Sequence, residues 1–197
     1  MTDAATPLNP IAPGNKLPLT GPHWTFIIKL YGNHEVRQAC LLLQDGFGVD
    51  VSFLLTLLWY ARNGIEFDEG DVEALDRTIA LWRSDVVKPL RKIRREIKLP
   101  AKQDGVVAGF CDKIKSIEIE AEQIEIAILT QAVDQRGRTG VSGNAAQREP
   151  ITRTVETVLA FYAARAAAPT TQLQTPETHA VINALADATA RANSGLR

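Results

Sequence analysis

Residues Gly21–Tyr60, GPHWTFIIKLYGNHEVRQACLLLQDGFGVDVSFLLTLLWY, hold three apolar runs separated by two tight breaks. The apolar residues recur at intervals of three and four, which is the periodicity of helices, and alternation with period two is absent. The spacing predicts a first helix from Pro22 to about Tyr31, since proline suits the first turn of a helix. Gly32 is predicted to end this helix, and Asn33 is placed to cap the next one.

The second and third helices of this segment supply the predicted core. The second helix ends at Asp45-Gly46-Phe47-Gly48, where glycine can take the left-handed conformation that turns the chain sharply. Asp50 is placed to cap a third helix, Val51–Arg62, which is apolar almost all round and is therefore expected to be buried on most sides. On the second helix the residues expected to point inward are Val36, Ala39, Cys40 and Leu43.

Beyond this segment the same helical periodicity recurs along the 197 residues, which predicts an all-α fold. We expect a single-domain helical bundle with one long coiled-coil-like helix. Residues 1–20 are predicted to form a flexible amino-terminal arm, and residues 21–136 the core of the bundle. A glycine-rich linker is predicted at 137–149, followed by a loosely attached pair of carboxy-terminal helices at 150–194.

A fourth helix is predicted after the acidic run Asp68-Glu69-Gly70-Asp71, because carboxylates favour the start of a helix. Pro89 lies farther along, and its missing amide disfavours a regular helix at that point. Either the fourth helix kinks there, or a new helix starts near Ser84. Both alternatives leave Leu90–Lys98 helical.

Several residues between positions 20 and 100 occur in an order that resembles a known family. The residues that carry the resemblance are Trp24, Phe26, Leu30, Tyr31, Val36, Ala39, Cys40, Leu41, Leu43, Gln44, Asp45, Gly48, Val49, Asp50, Val51, Leu54, Leu55, Trp59, Trp82, Arg83, Val86, Val87, Pro89, Leu90, Arg91, Arg94 and Arg95. In this order they are similar to an uncharacterised proteobacterial domain-of-unknown-function family, of the 2390 type. The resemblance implies a helical fold. No activity, cofactor or catalytic residue is established for the family, so it assigns no role to any position.

The strongest candidate for a functional site is the basic segment 88–98. Its cations gather on one side of a helical wheel, and they are Lys88, Arg91, Lys92, Arg94, Arg95 and Lys98. The narrow apolar stripe of the same helix consists of Val86, Leu90, Ile93 and Ile97. Such a basic face can bind an acidic protein partner, the phosphates of a nucleic acid or an anionic membrane surface. The alternative is a solvated face whose charges pair with carboxylates on neighbouring helices.

A long helix is predicted from Gly105 to Gln135. One apolar stripe repeats every three and four residues, as in a coiled coil, and comprises Val107, Phe110, Ile114, Ile117, Ala121, Ile124 and Ile128. A second stripe lies on a different face and comprises Ile119, Ile126 and Val133. Both stripes need cover, either from the carboxy-terminal helix of the same chain or from another subunit. The second alternative makes the protein a homodimer through the helix 105–135.

The same helix carries Glu118, Glu122 and Glu125 at helical spacing. A carboxylate-bridged metal site in a bundle also needs Glu-x-x-His pairs, which none of the histidines supplies. We therefore interpret the row as an acidic face that pairs with the preceding basic helix or faces water. Cys40 and Cys111 are expected to be buried, reduced thiols. No metal, cofactor or catalytic residue is predicted.

Charge and hydropathy narrow the possible functions. The formal net charge is -1 at pH 7, so a surface that binds polyanions must be local. No apolar run reaches the roughly 20 residues that a membrane span needs, and we expect a cytoplasmic protein. The favoured hypothesis is a non-enzymatic interaction or regulatory adaptor that uses the basic face and the long amphipathic helix for partner binding or self-assembly. Two alternatives stay open, namely a nucleic-acid-associated protein that binds phosphates through the same face and a small-ligand-binding bundle.

Overall fold

The computed structural model describes residues 17–101, 104–137, 148–167 and 169–192. In these ranges all regular secondary structure is helical, which confirms the predicted all-α fold. Most of the predicted arm and of the predicted linker lies outside the described residues. The helices are α1 Pro22–Gly32, α2 His34–Phe47, α3 Val51–Arg62, α4 Glu69–Trp82, α5 Lys88–Ala101, α6 Gly105–Gln135, α7 Arg148–Arg165, α8 Thr170–Leu173 and α9 Pro176–Arg191, with a π-helical turn, Arg83–Val87, between α4 and α5.

Side-chain caps set the starts of α2, α3 and α4. Asn33 accepts a hydrogen bond from the second amide of α2 at 2.8 Å, and Asp50 accepts one from the third amide of α3 at 3.0 Å. Asp68 and Asp71 form a reciprocal capping box at the start of α4. After α2, Gly48 has a φ angle of +70°, in the left-handed region that glycine adopts without strain. The predicted breaks in the segment 21–60 are therefore confirmed.

The helix α3 lies at the centre of the hydrophobic core. It packs against α1 and α2 on the amino-terminal side of the sequence and against α6, α7 and α9 on the carboxy-terminal side. Because it is apolar almost all round, it buries side chains in every direction. Its most deeply buried side chains are Phe53, Leu54, Leu57 and Leu58.

The carboxy-terminal helices are more closely integrated with the bundle than the loose attachment expected from the sequence. Edge-to-face packing joins Tyr162 of α7 to Phe53 of α3, with ring centroids 6.0 Å apart. The physical reason is that α1 and α2 cannot cover every side of α3. Buried side chains of α7 and α9 belong to the same core, and they include Ile151, Val155, Val158, Leu159, Ile182 and Leu185.

Among the described residues, the long helix α6 packs mainly against α3, α4 and α5, so a carboxy-terminal helix, one of the two alternatives that the sequence leaves open, is not its main cover. Trp82 of α4 donates its indole N–H to the Ala121 carbonyl at 2.9 Å, and the Tyr60 hydroxyl of α3 lies 3.1 Å from the Thr130 carbonyl. These contacts bury the second half of α6. The first half packs on α5 and leaves several apolar side chains exposed.

The chain passes from α4 to α5 without a fresh helix start near Ser84. The π-helical turn Arg83–Val87 holds an extra residue relative to an α-helical turn, and such turns interrupt the regular hydrogen-bond ladder. Pro89 follows directly as the second residue of α5, where the ladder is already interrupted and its missing amide is tolerated. Leu90–Lys98 is helical, as predicted. Throughout the described residues, no helix combines the length and the apolar character needed to cross a membrane.

Candidate functional site

The basic segment lies on α5, whose main packing partner is the first half of α6. Leu90 and Ile97 are half-buried, whereas Ile93 between them is 41% exposed. The predicted apolar stripe is thus narrow and only partly covered. Long polar side chains complete the contact between the two helices, which brings cations of α5 against carboxylates of α6.

Two of the predicted partner-binding cations turn toward α6. The Arg91 guanidinium binds Glu122 at 2.5 Å and Glu118 at 3.3 Å, and Arg94 also binds Glu118. Glu118 is only 4% exposed, so these ion pairs are partly withdrawn from water. For Arg91 and Arg94 the sequence leaves two alternatives open, namely pairing with carboxylates of a neighbouring helix or binding a partner. The structure shows the pairing with carboxylates of the neighbouring helix.

The remaining predicted cations, Lys88, Lys92, Arg95 and Lys98, are exposed. Lys92 approaches Glu96 at 3.9 Å, an exposed pair of the kind that contributes little. For the other three no ion pair is found within the described part of the chain. Lys88, Lys92 and Arg95 follow one another at i, i+4 and i+7, so that they form a row along one side of α5.

An amphipathic groove runs between the α5–α6 pair and the helices α1 and α3. Its volume is about 390 Å³. We call it the groove; its apolar wall is formed mainly by Trp24, Ile27, Ile28, Tyr31, Leu55, Ile119 and Ile126. The basic margin of the groove consists of Arg91, Arg94, Arg95 and Lys115.

Lys115 is a member of this margin that was not predicted from the sequence. It lies on α6, four residues before the groove residue Ile119, and it is exposed. The spacing of four residues places Lys115 and Ile119 on the same face of α6. The sequence does not show which face of α6 borders α1, so it does not assign Lys115 to the groove. A second, more open cleft of about 330 Å³ adjoins the groove, shares Gln44, Arg91 and Arg95 with it, and is also lined by Lys88, Lys92 and Glu96.

The ion pairs between α5 and α6 favour the charged forms of the two arginines. The hydrogen bond to Glu118 raises the pKa of Arg94, and the pairing with Glu122 raises the pKa of Arg91 despite the opposing effect of burial. Burial raises the pKa of Glu122, although its pairing with Arg91 counteracts this. In the basic margin of the groove, Arg91 and Arg94 are therefore held by carboxylates of α6, whereas Arg95 and Lys115 have no carboxylate partner among the described residues.

A second cluster, which we call the Arg83 network, lies inside the bundle below this margin. The Arg83 guanidinium is 8% exposed and lies in the π-helical turn. Its Nε atom is 2.5 Å from Asp50 and 3.3 Å from Glu125, while Nη1 is 2.6 Å from Asp76. The network thus joins the start of α3, the middle of α4 and the buried half of α6. No local sequence pattern predicts that the charge of Arg83 is buried.

The helix α7 completes the network from the other side. The Tyr162 hydroxyl donates to Asp76 at 2.7 Å, and Arg165 binds the other oxygen of Asp76 at 2.5 Å. The Arg83 guanidinium also lies 5.8 Å from the centroid of the Tyr162 ring, within range of a cation–π contact. Within the described residues, Nη2 of Arg83 and Oε2 of Glu125 have no hydrogen-bond partner. Most polar atoms of the network are therefore hydrogen-bonded or ion-paired, but these two atoms are not.

Glu125→Gln is expected to remove part of the pH dependence of stability. Burial raises the pKa of Glu125 well above its ordinary value, so the folded state binds a proton more readily than the unfolded state. The resulting stabilisation is complete below the ordinary carboxyl pKa and is lost as the pH rises through the raised pKa. Relative to the wild type, the variant should therefore gain stability as the pH rises from the ordinary carboxyl pKa through the raised one, as measured by urea unfolding.

The matched control for this measurement is Glu156→Gln, a change of the same kind at an exposed position of α7, outside the Arg83 network. It should leave the pH profile of the unfolding free energy close to that of the wild type. Parallel profiles for the wild type and Glu125→Gln would contradict the assignment of a raised pKa to Glu125.

The two cysteines belong neither to the groove nor to the Arg83 network. Cys40 is fully buried, as expected, and burial raises the pKa of its thiol to about 12. Cys111 is half-buried and not buried as predicted, because it lies on the first half of α6, where several apolar side chains stay exposed. In the described ranges no three histidine, cysteine, aspartate or glutamate side chains are grouped in a way that would hold a metal ion.

The fold and the groove define an all-α bundle that has an apolar groove edged by guanidinium and ammonium groups. Over residues 22–129 the chain matches the family described as protein of unknown function, DUF2390, and it belongs to that family. The resemblance recognised in the sequence is therefore confirmed. The match runs from the start of α1 into the buried half of α6, and so it includes the groove. No curated protein and no solved structure matches the chain.

Proposed function

We propose that this protein is a non-enzymatic interaction module whose groove binds an acidic, amphipathic helix of a protein partner. The observation that carries the proposal is the position of Arg95 and Lys115, two cations without ion-pair partners among the described residues, at the margin of an apolar groove. Apolar surface supplies most of the binding free energy at such sites, and charges at the rim select and orient the partner.

A helical segment suits this site better than an extended one. Helix-in-groove recognition places apolar side chains in the groove and leaves polar side chains along its edge. The row Lys88, Lys92 and Arg95 spans about 10 Å along α5, at 1.5 Å per residue. A partner helix with carboxylates at i, i+4 and i+7 has the same spacing, and it can pair with this row while its apolar face enters the groove.

A protein partner is favoured over a nucleic acid because the margin is not uniformly basic. Glu118 and Glu122 line the same groove and already engage Arg91 and Arg94. A phosphate backbone would meet these carboxylates as well as the cations, and the overall charge of -1 gives it no general attraction. An acidic helix needs only the exposed cations, which Glu118 and Glu122 do not engage.

Self-assembly is the second part of the proposed function. The first half of α6 exposes apolar side chains on a face that neither α3 nor α4 covers, and Val106 is 85% exposed and Phe110 52% exposed. Exposed apolar side chains in a continuous row are typical of surfaces that another protein covers. A second copy of the chain is the partner that we propose for this face.

Reversing the charges of the groove margin is expected to weaken binding of an acidic helix about tenfold or more, which corresponds to about 1.4 kcal/mol. The variant is Arg95→Glu with Lys115→Glu, and the probe is an amphipathic peptide of about 20 residues, long enough to be helical, with a row of glutamates beside its apolar face. Fluorescence anisotropy of the labelled peptide gives the affinity. A peptide with glutamine in place of each glutamate should bind weakly to the wild type and the variant alike.

The matched control for charge is Lys29→Glu with Arg77→Glu, two exposed cations away from the groove that give the same change in net charge. This control should bind the acidic peptide within about twofold of the wild type. Equal losses in both double variants would mean that only net charge matters. Tighter binding of a single-stranded oligonucleotide than of the peptide, with steep salt dependence, would favour the nucleic-acid alternative.

A further inference from the structure

The exposed face of α6 carries a row of side chains spaced alternately by four and three residues. This row, which we call the exposed seam, consists of Val106, Phe110, Lys113, Ile117 and Glu120. All of its members are exposed, and Ile117 at its middle is 48% exposed. The alternation of four and three residues is the spacing with which one helix packs along another in a coiled coil.

The exposed seam and the groove lie on different sides of α6. At about 100° per residue, Ile117 and Ile119 point roughly 160° apart, and Ile119 lines the groove. A protein bound along the exposed seam therefore leaves the groove open. Another protein can therefore cover the exposed seam whether or not an acidic helix is bound in the groove.

The charges of the exposed seam are self-complementary in one orientation only. Lys113 and Glu120 flank Ile117 at nearly equal distances along the helix, and neither has an ion-pair partner among the described residues. In a parallel pair of α6 helices, Lys113 would face Lys113 and Glu120 would face Glu120. In an antiparallel pair centred near Ile117, each Lys113 faces a Glu120 of the second copy, and the two Ile117 side chains meet.

We infer that two copies of this chain associate through α6 in an antiparallel, two-fold symmetric pair centred on Ile117. A two-fold axis at this point makes the same surface serve on both copies, as in most homodimers. Phe110 of each copy then packs beyond the central pair, toward the buried half of the other α6. This inference rests on the self-assembly part of the proposed function, and it specifies the orientation and register.

Cross-linking at the two-fold axis tests the register. Ile117→Cys, in full-length protein that also carries Cys111→Ser, should form a disulfide-linked dimer under mild oxidation, because two β-carbons at the axis lie close enough for a disulfide. The matched control is Ile119→Cys in the same background, an exposed isoleucine of the same helix on the groove side. It should remain largely monomeric in non-reducing electrophoresis.

Charge exchange tests the orientation. Lys113→Glu and Glu120→Lys should each weaken dimerisation about tenfold or more in sedimentation equilibrium, since each creates two like-charge pairs across the interface. The double variant, and also an equimolar mixture of the two single variants, should restore the dimer because the opposite charges face each other again.

The outcomes separate this inference from the proposal that it rests on. A wild-type chain that stays monomeric up to high micromolar concentration would overturn both the self-assembly and the register. A wild-type dimer in which Ile119→Cys cross-links at least as well as Ile117→Cys would overturn the register alone. Cross-linking at Ile117, together with restoration by the charge exchange, supports the antiparallel pair.

Discussion

Replacing Arg83 with methionine is expected to lower the free energy of unfolding by about 3–5 kcal/mol, the usual cost of removing one partner from a buried ion pair. Arg83 is the counter-charge of Asp50, Asp76 and Glu125, and the side chains of Asp76 and Glu125 are almost completely buried. Methionine fills much of the same volume, so the loss reflects uncompensated charge more than a cavity. Urea unfolding monitored by circular dichroism gives the value.

The control is Arg77→Met on the same helix, where the arginine side chain is 69% exposed and only approaches Glu73 at 4.0 Å. An exposed pair of this kind contributes little, and the expected change is within about 0.5 kcal/mol. A further variant, Arg83→Met with Glu125→Gln, removes one of the stranded charges and should recover part of the loss. A change below about 1 kcal/mol for Arg83→Met would contradict the role assigned to the network.

Leu185→Ala is expected to cost about 2–5 kcal/mol, the range for truncation of a fully buried leucine. Leu185 lies on α9 and has no exposed surface in the core that it shares with α3. If α9 is part of one cooperative core, the whole chain should become less stable and still unfold in a single transition. Thermal unfolding monitored by circular dichroism and by tryptophan fluorescence should show coincident curves, since the tryptophans lie in the helices before α6.

Leu42→Ala on α2 provides the comparison, because Leu42 is 59% exposed and its truncation removes little buried surface. We expect its effect to remain below about 1 kcal/mol. Equal small effects at Leu185 and Leu42 would mean that α9 is attached loosely, as the sequence alone predicts.

Local signals explain why much of the fold was predictable. Asn33, Asp50 and Asp68 accept hydrogen bonds from amides two or three residues away, so a helix start needs no information beyond one turn of sequence. The apolar periodicity of α3 and α6 predicted helices of the observed length, including Gly105–Gln135. Such short-range rules act before tertiary packing is known.

The Arg83 network was not predictable in the same way. Glu125 lies 42 residues from Arg83, and Tyr162 lies 86 residues from Asp76. The helical wheel of one segment does not reveal partners at such separations. The preference of arginine and aspartate for the surface favoured the opposite interpretation, and only the packing of α3, α4, α6 and α7 brings the charges together.

The basic face was predictable as a pattern, but the division of its charges was not. The sequence predicts that the acidic row containing Glu118 and Glu122 pairs with the basic helix or faces water, and the structure shows pairing with Arg91 and Arg94. Which cations turn inward depends on the rotation of α5 about its axis. That rotation is set by tertiary contacts, and it leaves Arg95 at the margin of the groove.

Methyl NMR of the isoleucine-labelled full chain, titrated with the acidic helical peptide, tests the central claim most directly. The isoleucines report on separate surfaces, with Ile28 and Ile119 in the groove, Ile117 on the exposed seam and Ile182 in the core. Binding in the groove predicts saturable shifts of the Ile28 and Ile119 signals, with Ile117 and Ile182 nearly unchanged. Shifts of Ile117 without Ile28 and Ile119, or no saturable shift at all, would contradict it.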